Sequence, residues 1–232
     1  MTAPSAAERE RQKRAAAARA VEEVADGMVL GLGSGSTAEF ALEILARRVA
    51  QGLRIAAIPT SERTGALARR LGVPLTSFAE HRRIDLTIDG ADEVEHGTLN
   101  LIKGLGGALL REKIVAAASD RMIVIVDRSK LVDRLGTHVP LPVEIVSFGW
   151  QTVLERLSGV GAVPTLRRVG DKPFATDSGN YIADCAFPAF ADPAALEIQL
   201  AGLIGVVESG LFIGLATTIM VGGESGIDIL ER

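Results

Sequence analysis

The sequence predicts an α/β protein, with a parallel β-sheet flanked by helices, and three observations support this. Hydrophobic residues make up 47% of the 232 residues but aromatic residues only 4%, a composition that suits buried parallel strands. The 25 glycines suit the tight turns that join such strands to helices. Short apolar runs also alternate with helical patterns along the first half of the chain. At this length a core can form without disulfide bonds.

Strand and helix signals alternate from the N-terminus. The predicted elements are a helix over 15–25, a strand over 28–33, a helix over 37–49, a strand over 54–58, a helix over 61–71, a strand over 84–88, a helix over 107–118 and a strand over 122–126. Repeated strand-helix units predict a parallel sheet with helices on both faces.

After Gly136 the pattern changes to that of a second, smaller unit. Its signals are the run 140–146, a helix near 150–157 and alternating segments around 165–168 and 180–186. The apolar tail 211–222 can return to the first sheet, which makes the small unit an insertion. The predicted domains are a Rossmann-like domain of residues 1–135 and 212–232 and a small α+β domain of residues 136–211.

Composition and charge exclude several classes of partner. The formal net charge is -4 and basic residues are interspersed with acidic ones, so neither nucleic acid nor an anionic membrane is expected as a partner. The charged N-terminal segment has no following apolar region, unlike a secretory signal, and the apolar stretch 211–221 is too short to span a membrane. The single cysteine, Cys185, fits a reducing compartment. We expect a soluble, cytoplasmic protein.

The turn Gly31–Thr37 follows a strand and opens a helix. Free backbone N–H groups and the helix dipole favour an anion there, so the turn predicts a phosphate or sugar-phosphate cradle. A dinucleotide site is disfavoured because Ser36 occupies the third glycine position of that motif, and no acidic residue ends the next strand. A plain tight turn with Ser36 or Thr37 as N-cap remains the alternative.

The acidic turn Asp89–Glu93 directly follows the strand 84–88, at the strand end where open α/β sheets bind ligands. Asp89 and Asp92, with Gly90 between them, can face one crevice and orient sugar hydroxyls or bind a metal ion. The three histidines lie apart from any ligand-like cluster, which weighs against a metal. A solvated turn is the alternative.

The segment 103–115 is the most informative, because a glycine-rich loop with a lysine runs into a helix with a glutamate. On one continuous helix, Lys103 and Glu112 would lie on opposite faces, so we expect Lys103 in the loop, folded back over the site. Glu112 shares a helix face with Ala108 and Val115, which predicts partial desolvation and a raised pKa suited to a general base. A solvent-facing glutamate within a charge run is the alternative.

Six motifs in this order resemble those of the type A ribose-5-phosphate isomerases. They are residues 31–37, 60–64, 89–93, 103–113, 127–130 and 140–144, with further similarity at 176–180 and from Gly210. The resemblance spans nearly the whole chain. It implies an aldose-ketose isomerase of the pentose phosphate pathway that interconverts ribose 5-phosphate and ribulose 5-phosphate through an enediolate, without metal or redox cofactor.

By position, the resemblance implies that Glu112 is the proton-transferring base and that Asp89, Asp92 and Lys103 surround the reacting end of the sugar. Asp89 is preferred over Asp92 for ring opening, and Lys130 with Lys13 is expected to neutralise the phosphate. The implied substrate-binding residues are Ser34, Gly35, Ser36, Thr37, Asp89, Gly90, Ala91, Asp92, Lys103, Gly104, Leu105, Gly106, Lys130 and Lys13. Leu105 departs from the glycine usual in the family, which leaves loop geometry and substrate preference open.

Two other functions remain open. One is a non-catalytic sugar-phosphate sensor, although no helix-turn-helix or basic extension supports a DNA-bound form. The other is acyl or CoA transfer through a covalent intermediate on Glu112. A homodimer or homotetramer is expected from the apolar second unit and tail.

Overall fold

The computed structural model describes residues 5–188, 192–224 and 226–231. The helices in these ranges are α1 (Ala6–Glu22), α2 (Ser36–Ala50), α3 (Glu62–Arg70), α4 (Leu109–Ala117), α5 (Trp150–Gly159) and α6 (Pro193–Ala201). The strands are β1 (Val29–Leu32), β2 (Ala56–Pro59), β3 (Ile84–Asp89), β4 (Glu93–Glu95), β5 (Leu101–Ile102), β6 (Ser119–Asp127), β7 (Leu131–Val132), β8 (Leu141–Ile145), β9 (Val163–Leu166), β10 (Arg168–Val169), β11 (Lys172–Pro173), β12 (Tyr181–Ala186), β13 (Val206–Ser209), β14 (Leu211–Phe212), β15 (Thr218–Gly222) and β16 (Ile227–Glu231). A short 3-10 helix, Arg128–Lys130, follows β6.

The predicted parallel sheet is confirmed as a six-stranded sheet in the order β16-β15-β6-β3-β1-β2. Every neighbouring pair in it is parallel except β15 and β16. Its strands are apolar along nearly their whole length because both faces are covered. The predicted return of the tail to this sheet is confirmed for β15, which pairs with β6 from Thr218 opposite Ile123 onward, whereas β14 pairs with β5 in a different sheet.

Helices cover both faces of this sheet, as the strand-helix alternation predicts. In β6, Ile123 and Ile125 belong to a core that they share with α1 and α2, whereas Met122 and Val124 pack in a second core on the opposite face, with α4. Helix α1 approaches the sheet closely through fully buried alanines. It begins at Ala6, earlier than predicted, because Ser5 and Glu8 form a capping box.

Two four-stranded sheets and the two-stranded antiparallel sheet β10-β11 complete the fold in the described residues. An antiparallel sheet in the order β13-β8-β12-β9 packs against α5 and α6, and the sheet β14-β5-β4-β7 holds the segment that leads into the glycine-rich loop. The assignment of domain boundaries at 135 and 212 remains a prediction. Helix α6 and the short strands β4, β5, β7 and β14 were not predicted.

The loops that bear the predicted motifs meet at the carboxyl edge of the central sheet. β1 ends at Leu32, β3 at Asp89 and β6 at Asp127, and all three strands run in the same direction. Gly33 and Asp89 touch at this edge, where a Cβ atom on Gly33 would overlap the Asp89 carboxylate. A side chain at position 33 would therefore push the two loops apart.

Candidate active site

A pocket opens at this carboxyl edge, between α1, the β1–α2 loop, the β3–β4 loop, the glycine-rich loop and the 3-10 helix. Its lining consists of Lys13, Ser34, Gly35, Ser36, Thr37, Gly90, Ala91, Asp92, Lys103, Gly104, Gly106, Glu112 and Lys130. The lining thus combines three lysines and two carboxylates, Asp92 and Glu112, with the backbone and hydroxyl groups of the β1–α2 loop.

The N-terminus of α2 forms one wall of the pocket. Gly35 occupies the N-cap position at φ +90° and offers no capping side chain, so the first amides of α2 are available to an anion. The preceding residue is fixed from behind, because Ser34 Oγ lies 2.7 Å from Thr60 Oγ1 and 3.0 Å from Ser61 Oγ. This wall is therefore rigid before any ligand arrives.

Lys103 lies at the centre of the site. It follows β5, its backbone N–H donates to Gly210 O, and its side chain is 2% exposed. Its Nζ donates to Gly90 O at 2.6 Å and lies 3.0 Å from Asp89 Oδ2 and 3.5 Å from Glu112 Oε2. Burial alone would lower the pKa of Lys103, but these two carboxylates outweigh it and raise that pKa above its ordinary value. The ammonium group is therefore charged at neutral pH.

Glu112 is the titrating group of the site. Glu112 projects from α4 and is only 5% exposed. Burial is the main cause that raises its pKa to about 8, and the nearby charge of Lys103 opposes this rise. Within the described part of the chain its Oε2 has no hydrogen bond and meets Lys103 only as an ion pair. A carboxyl group with this pKa can both accept and return a proton near neutrality.

The two aspartates of the acidic turn have different surroundings. Asp89 is fully buried behind Lys103, and its Oδ1 accepts hydrogen bonds from the backbone N–H groups of Ser34 and Gly90. Burial raises the pKa of Asp89, while Lys103 opposes that rise. Asp92 instead lines the pocket, and its Oδ2 accepts a hydrogen bond of 2.9 Å from the Leu105 N–H.

Lys13 and Lys130 approach the pocket from two separate elements. Lys13 Nζ in α1 lies 3.8 Å from Asp127 Oδ2, at the end of β6. Asp127 Oδ1 accepts from the Ser129 N–H and so caps the 3-10 helix that carries Lys130. Asp127 thus pairs with Lys13 and anchors the backbone of the short helix that carries Lys130.

Comparisons with known proteins agree with this geometry. The sequence profile of the family ribose 5-phosphate isomerase A (phosphoriboisomerase A) matches residues 56–226. The ribose-5-phosphate isomerase A of Gloeobacter violaceus is 58% identical over 218 residues, which cover 94% of this chain and 95% of that protein. The chain belongs to the ribose 5-phosphate isomerase A family.

Solved structures of this family have the same fold. The ribose 5-phosphate isomerase A of Methanocaldococcus jannaschii is 39% identical with a TM-score of 0.92, and the match covers 96% of this chain and 99% of that one. A D-ribose-5-phosphate isomerase solved in complex with phospho-erythronic acid gives the same identity, coverage and TM-score.

The candidate site residues named from the sequence line one pocket, with two exceptions. Asp89 is buried behind the lining, and Leu105 touches the site through its backbone while its side chain is 40% exposed. The expectation that Lys103 folds back from a loop is confirmed by its contacts. The solvent-facing alternative for Glu112 is wrong, because α4 turns this residue inward.

Among the described residues, no group of three or more His, Cys, Asp or Glu side chains is arranged to hold a metal ion. No helix in the described ranges is both long and apolar enough to cross a membrane.

Sequence reasoning did not assign a role to several residues that support the site. Thr60 and Thr64 accompany Ser61 in holding the phosphate-type turn, as their hydroxyls donate to the carbonyls of Leu32 and Gly33. Glu144, in β8, is buried and accepts hydrogen bonds of 2.9 Å from Thr176 Oγ1 and Asn180 Nδ2. Burial raises the pKa of Glu144, and hydrogen bonds from these groups and the Leu110 amide of α4 oppose that rise. The motifs at 140–144 and 176–180 thus meet behind the helix of Glu112.

Proposed function

We propose that Glu112 is the base of the isomerisation catalysed by this chain, the interconversion of ribose 5-phosphate and ribulose 5-phosphate. The reaction moves a proton between C2 and C1 of the open-chain sugar through an enediolate, so a single group must reach both carbons. The observation that supports Glu112 most strongly is its burial beside Lys103 in the pocket wall, with a pKa of about 8. A base of this pKa can remove the proton and return it to the neighbouring carbon.

Lys103 is the group that stabilises the enediolate oxygens. Its ammonium donates to Gly90 O and pairs with Asp89, while the contact with Glu112 is longer, at 3.5 Å. The N–H group on that side can turn to a substrate oxygen as negative charge develops there. A buried, preorganised cation acts more strongly on such a charge than one in water.

The phosphate group is held at the other end of the pocket. Lys13 and Lys130 supply positive charge, and the first amides of α2, at Ser36 and Thr37, supply hydrogen-bond donors at a helix N-terminus. Ser34 contributes mainly by its fixed backbone, since its hydroxyl contacts the side chains of Thr60 and Ser61. This arrangement sets the reacting carbons toward Glu112.

Ring opening is assigned to Asp92 rather than to Asp89. The position of Asp92 in the pocket lining supports contact with the sugar, whereas Asp89 is fully buried and holds Lys103. Ribulose 5-phosphate has its C5 oxygen esterified and stays open-chain, so its C1 proton can exchange without ring chemistry. Asp92→Asn is therefore expected to slow conversion of ribose 5-phosphate while C1 exchange on ribulose 5-phosphate persists. Loss of both in equal measure would contradict this assignment.

The test of the function is conversion of ribose 5-phosphate by the purified protein with EDTA present. We expect wild-type turnover to persist in EDTA and Glu112→Gln to lose at least about 100-fold in kcat. Glu155→Gln, an exposed glutamate on α5, is the matched control and should keep wild-type activity. Activity retained by Glu112→Gln, or abolished in the wild type by EDTA, would contradict the proposal.

We further infer a homodimer or homotetramer in the cytoplasm. Large apolar side chains are exposed outside the central sheet, among them Phe148 at 93%, Ile204 at 78% and Ile198 at 74%, which supports burial against another copy. A lone, buried cysteine supports a reducing compartment. Light scattering gives the oligomeric mass, and a purely monomeric protein would contradict the first inference.

A further inference from the structure

The loop Gly104–Gly107 joins the two central groups of the site, Lys103 and Glu112. Gly104 and Gly107 have φ angles of +106° and +80°, which favour glycine, and glycine-rich backbone is intrinsically flexible. Proton transfer, in contrast, requires the reacting groups to be held within a fraction of an ångström. Some contact must therefore restrain this loop from outside.

Arg167 supplies that contact from the end of β9, in the antiparallel sheet β13-β8-β12-β9. It lies between β9 and β10, and its Nη1 donates to the carbonyl oxygens of Gly104 at 3.0 Å and Leu105 at 2.9 Å. The other side of the guanidinium pairs with Asp184 of β12, where Nε lies 2.9 Å from Oδ2 and Nη2 donates to Oδ1. The side chain is only 15% exposed. A planar guanidinium suits this bridge, because its N–H groups point in fixed directions.

The contacts of Arg167 extend directly to pocket residues. Both backbone groups of Leu105 are hydrogen-bonded: its C=O accepts from Arg167, and its N–H donates to Asp92. Arg167 Cζ also lies 5.8 Å from the centre of the Phe174 ring, which fills the space beside Gly107 so closely that no Cβ atom would fit there. Arg167, after β9, and Phe174, after β11, thus contact the two ends of the loop.

We propose that Arg167 is a positioning residue of the isomerase, which holds the glycine-rich loop so that Lys103 and Asp92 face the reacting end of the sugar. Arg167 lies outside the pocket lining, so its proposed action is through the loop and not on the sugar itself. The proposal rests on the function proposed above for Lys103 and Asp92. On this proposal, the antiparallel sheet β13-β8-β12-β9 contributes to catalysis through Arg167.

The variants that test it are Arg167→Met and Arg167→Lys, with Arg168→Met as the matched control. Arg168 is exposed and donates only to Asp171 O within the described residues, so its loss should leave kcat unchanged. For Arg167→Met we expect kcat to fall about 100-fold, as for a misplacement of about 1 Å. KM should change less than about threefold, because Lys13 and Lys130 are on other elements. Arg167→Lys, which can restore one carbonyl contact, should recover part of kcat.

A second readout does not depend on activity. Amide hydrogen exchange at Leu105 and Gly107 should be faster in Arg167→Met than in the wild type and in Arg168→Met. If Arg167→Met fails to fold, Asp184→Asn replaces it, since it loosens the guanidinium without removing the carbonyl contacts, and a smaller fall in kcat is expected.

Three results would overturn the proposal: unchanged kcat in the folded Arg167→Met, a rise in KM alone, or unchanged exchange at Leu105 and Gly107. Absence of wild-type turnover on ribose 5-phosphate would instead refute the proposed function, and the exchange rates would still decide whether Arg167 holds the loop.

Discussion

The pH dependence of kcat/KM reports the ionisation of Glu112 directly. Burial raises the pKa of Glu112 from 4.5 to about 8, so lowering the pH through 8 protonates the base and removes activity. For a single group of that pKa, about a tenth of the molecules hold the carboxylate at pH 7 and about nine tenths at pH 9. We therefore expect kcat/KM to rise about tenfold between pH 7 and pH 9. An ordinary glutamate would give a flat profile over the same range.

The assay is the initial rate at subsaturating ribose 5-phosphate from pH 6.5 to 9.5, at constant ionic strength. The substrate phosphate has a second pKa of about 6, so it is essentially dianionic over the upper part of this range. The pKa of Lys103 is raised, so its ammonium should add no falling limb below pH 10. Glu155→Gln should follow the wild-type curve. A flat profile over this range, as an ordinary glutamate would give, would refute the claim that burial sets the pKa of Glu112.

Two further predictions concern residues that support the site. Gly33→Ala should lose activity and lower the free energy of unfolding by about 1–3 kcal/mol, because the new Cβ atom overlaps the Asp89 carboxylate. Urea unfolding and an activity assay measure the two effects. Wild-type values in both would contradict the close contact between Gly33 and Asp89. Glu144→Ala should lower the free energy of unfolding by about 2 kcal/mol, because Thr176 and Asn180 lose a buried acceptor. An unchanged urea midpoint for this variant would show that water replaces the carboxylate.

The elements with strong periodicity were predictable from the sequence. The strands that end at Leu32, Asp89 and Asp127 are continuous apolar runs bounded by turn residues, and the alternation with helices fixes their direction. Because parallel strands end at the same edge of a sheet, the sequence places both the phosphate-type turn and the acidic turn at that edge. The spacing of Glu112 to Val115 along α4 predicted an inward face but left a solvent-facing alternative, and the burial of Glu112 decides between them.

The parts that were missed depend on contacts between distant segments. Strands of two or three residues, such as Leu101–Ile102 and Leu211–Phe212, are too short to show a period. They are defined by pairing with segments elsewhere in the chain: Leu211–Phe212 pairs with Leu101–Ile102, which also pairs with Glu93–Glu95. The bridge from Arg167 to Gly104 and Leu105 joins residues more than sixty positions apart, so no local pattern announces it. The depth of Asp89 behind Lys103 likewise depends on tertiary packing, which the turn sequence does not contain.

The most direct test of Glu112 as the proton-transferring base is proton NMR of ribulose 5-phosphate in D₂O. Wild type, Glu112→Gln and Glu155→Gln are compared at pH 8. We expect wild type and Glu155→Gln to incorporate deuterium at C1 while they form ribose 5-phosphate, and Glu112→Gln to do both at least about 100-fold more slowly. Exchange by Glu112→Gln at the wild-type rate would contradict the assignment of the base. A wild-type protein that binds the sugar phosphate yet neither exchanges nor converts it would instead identify a sensor.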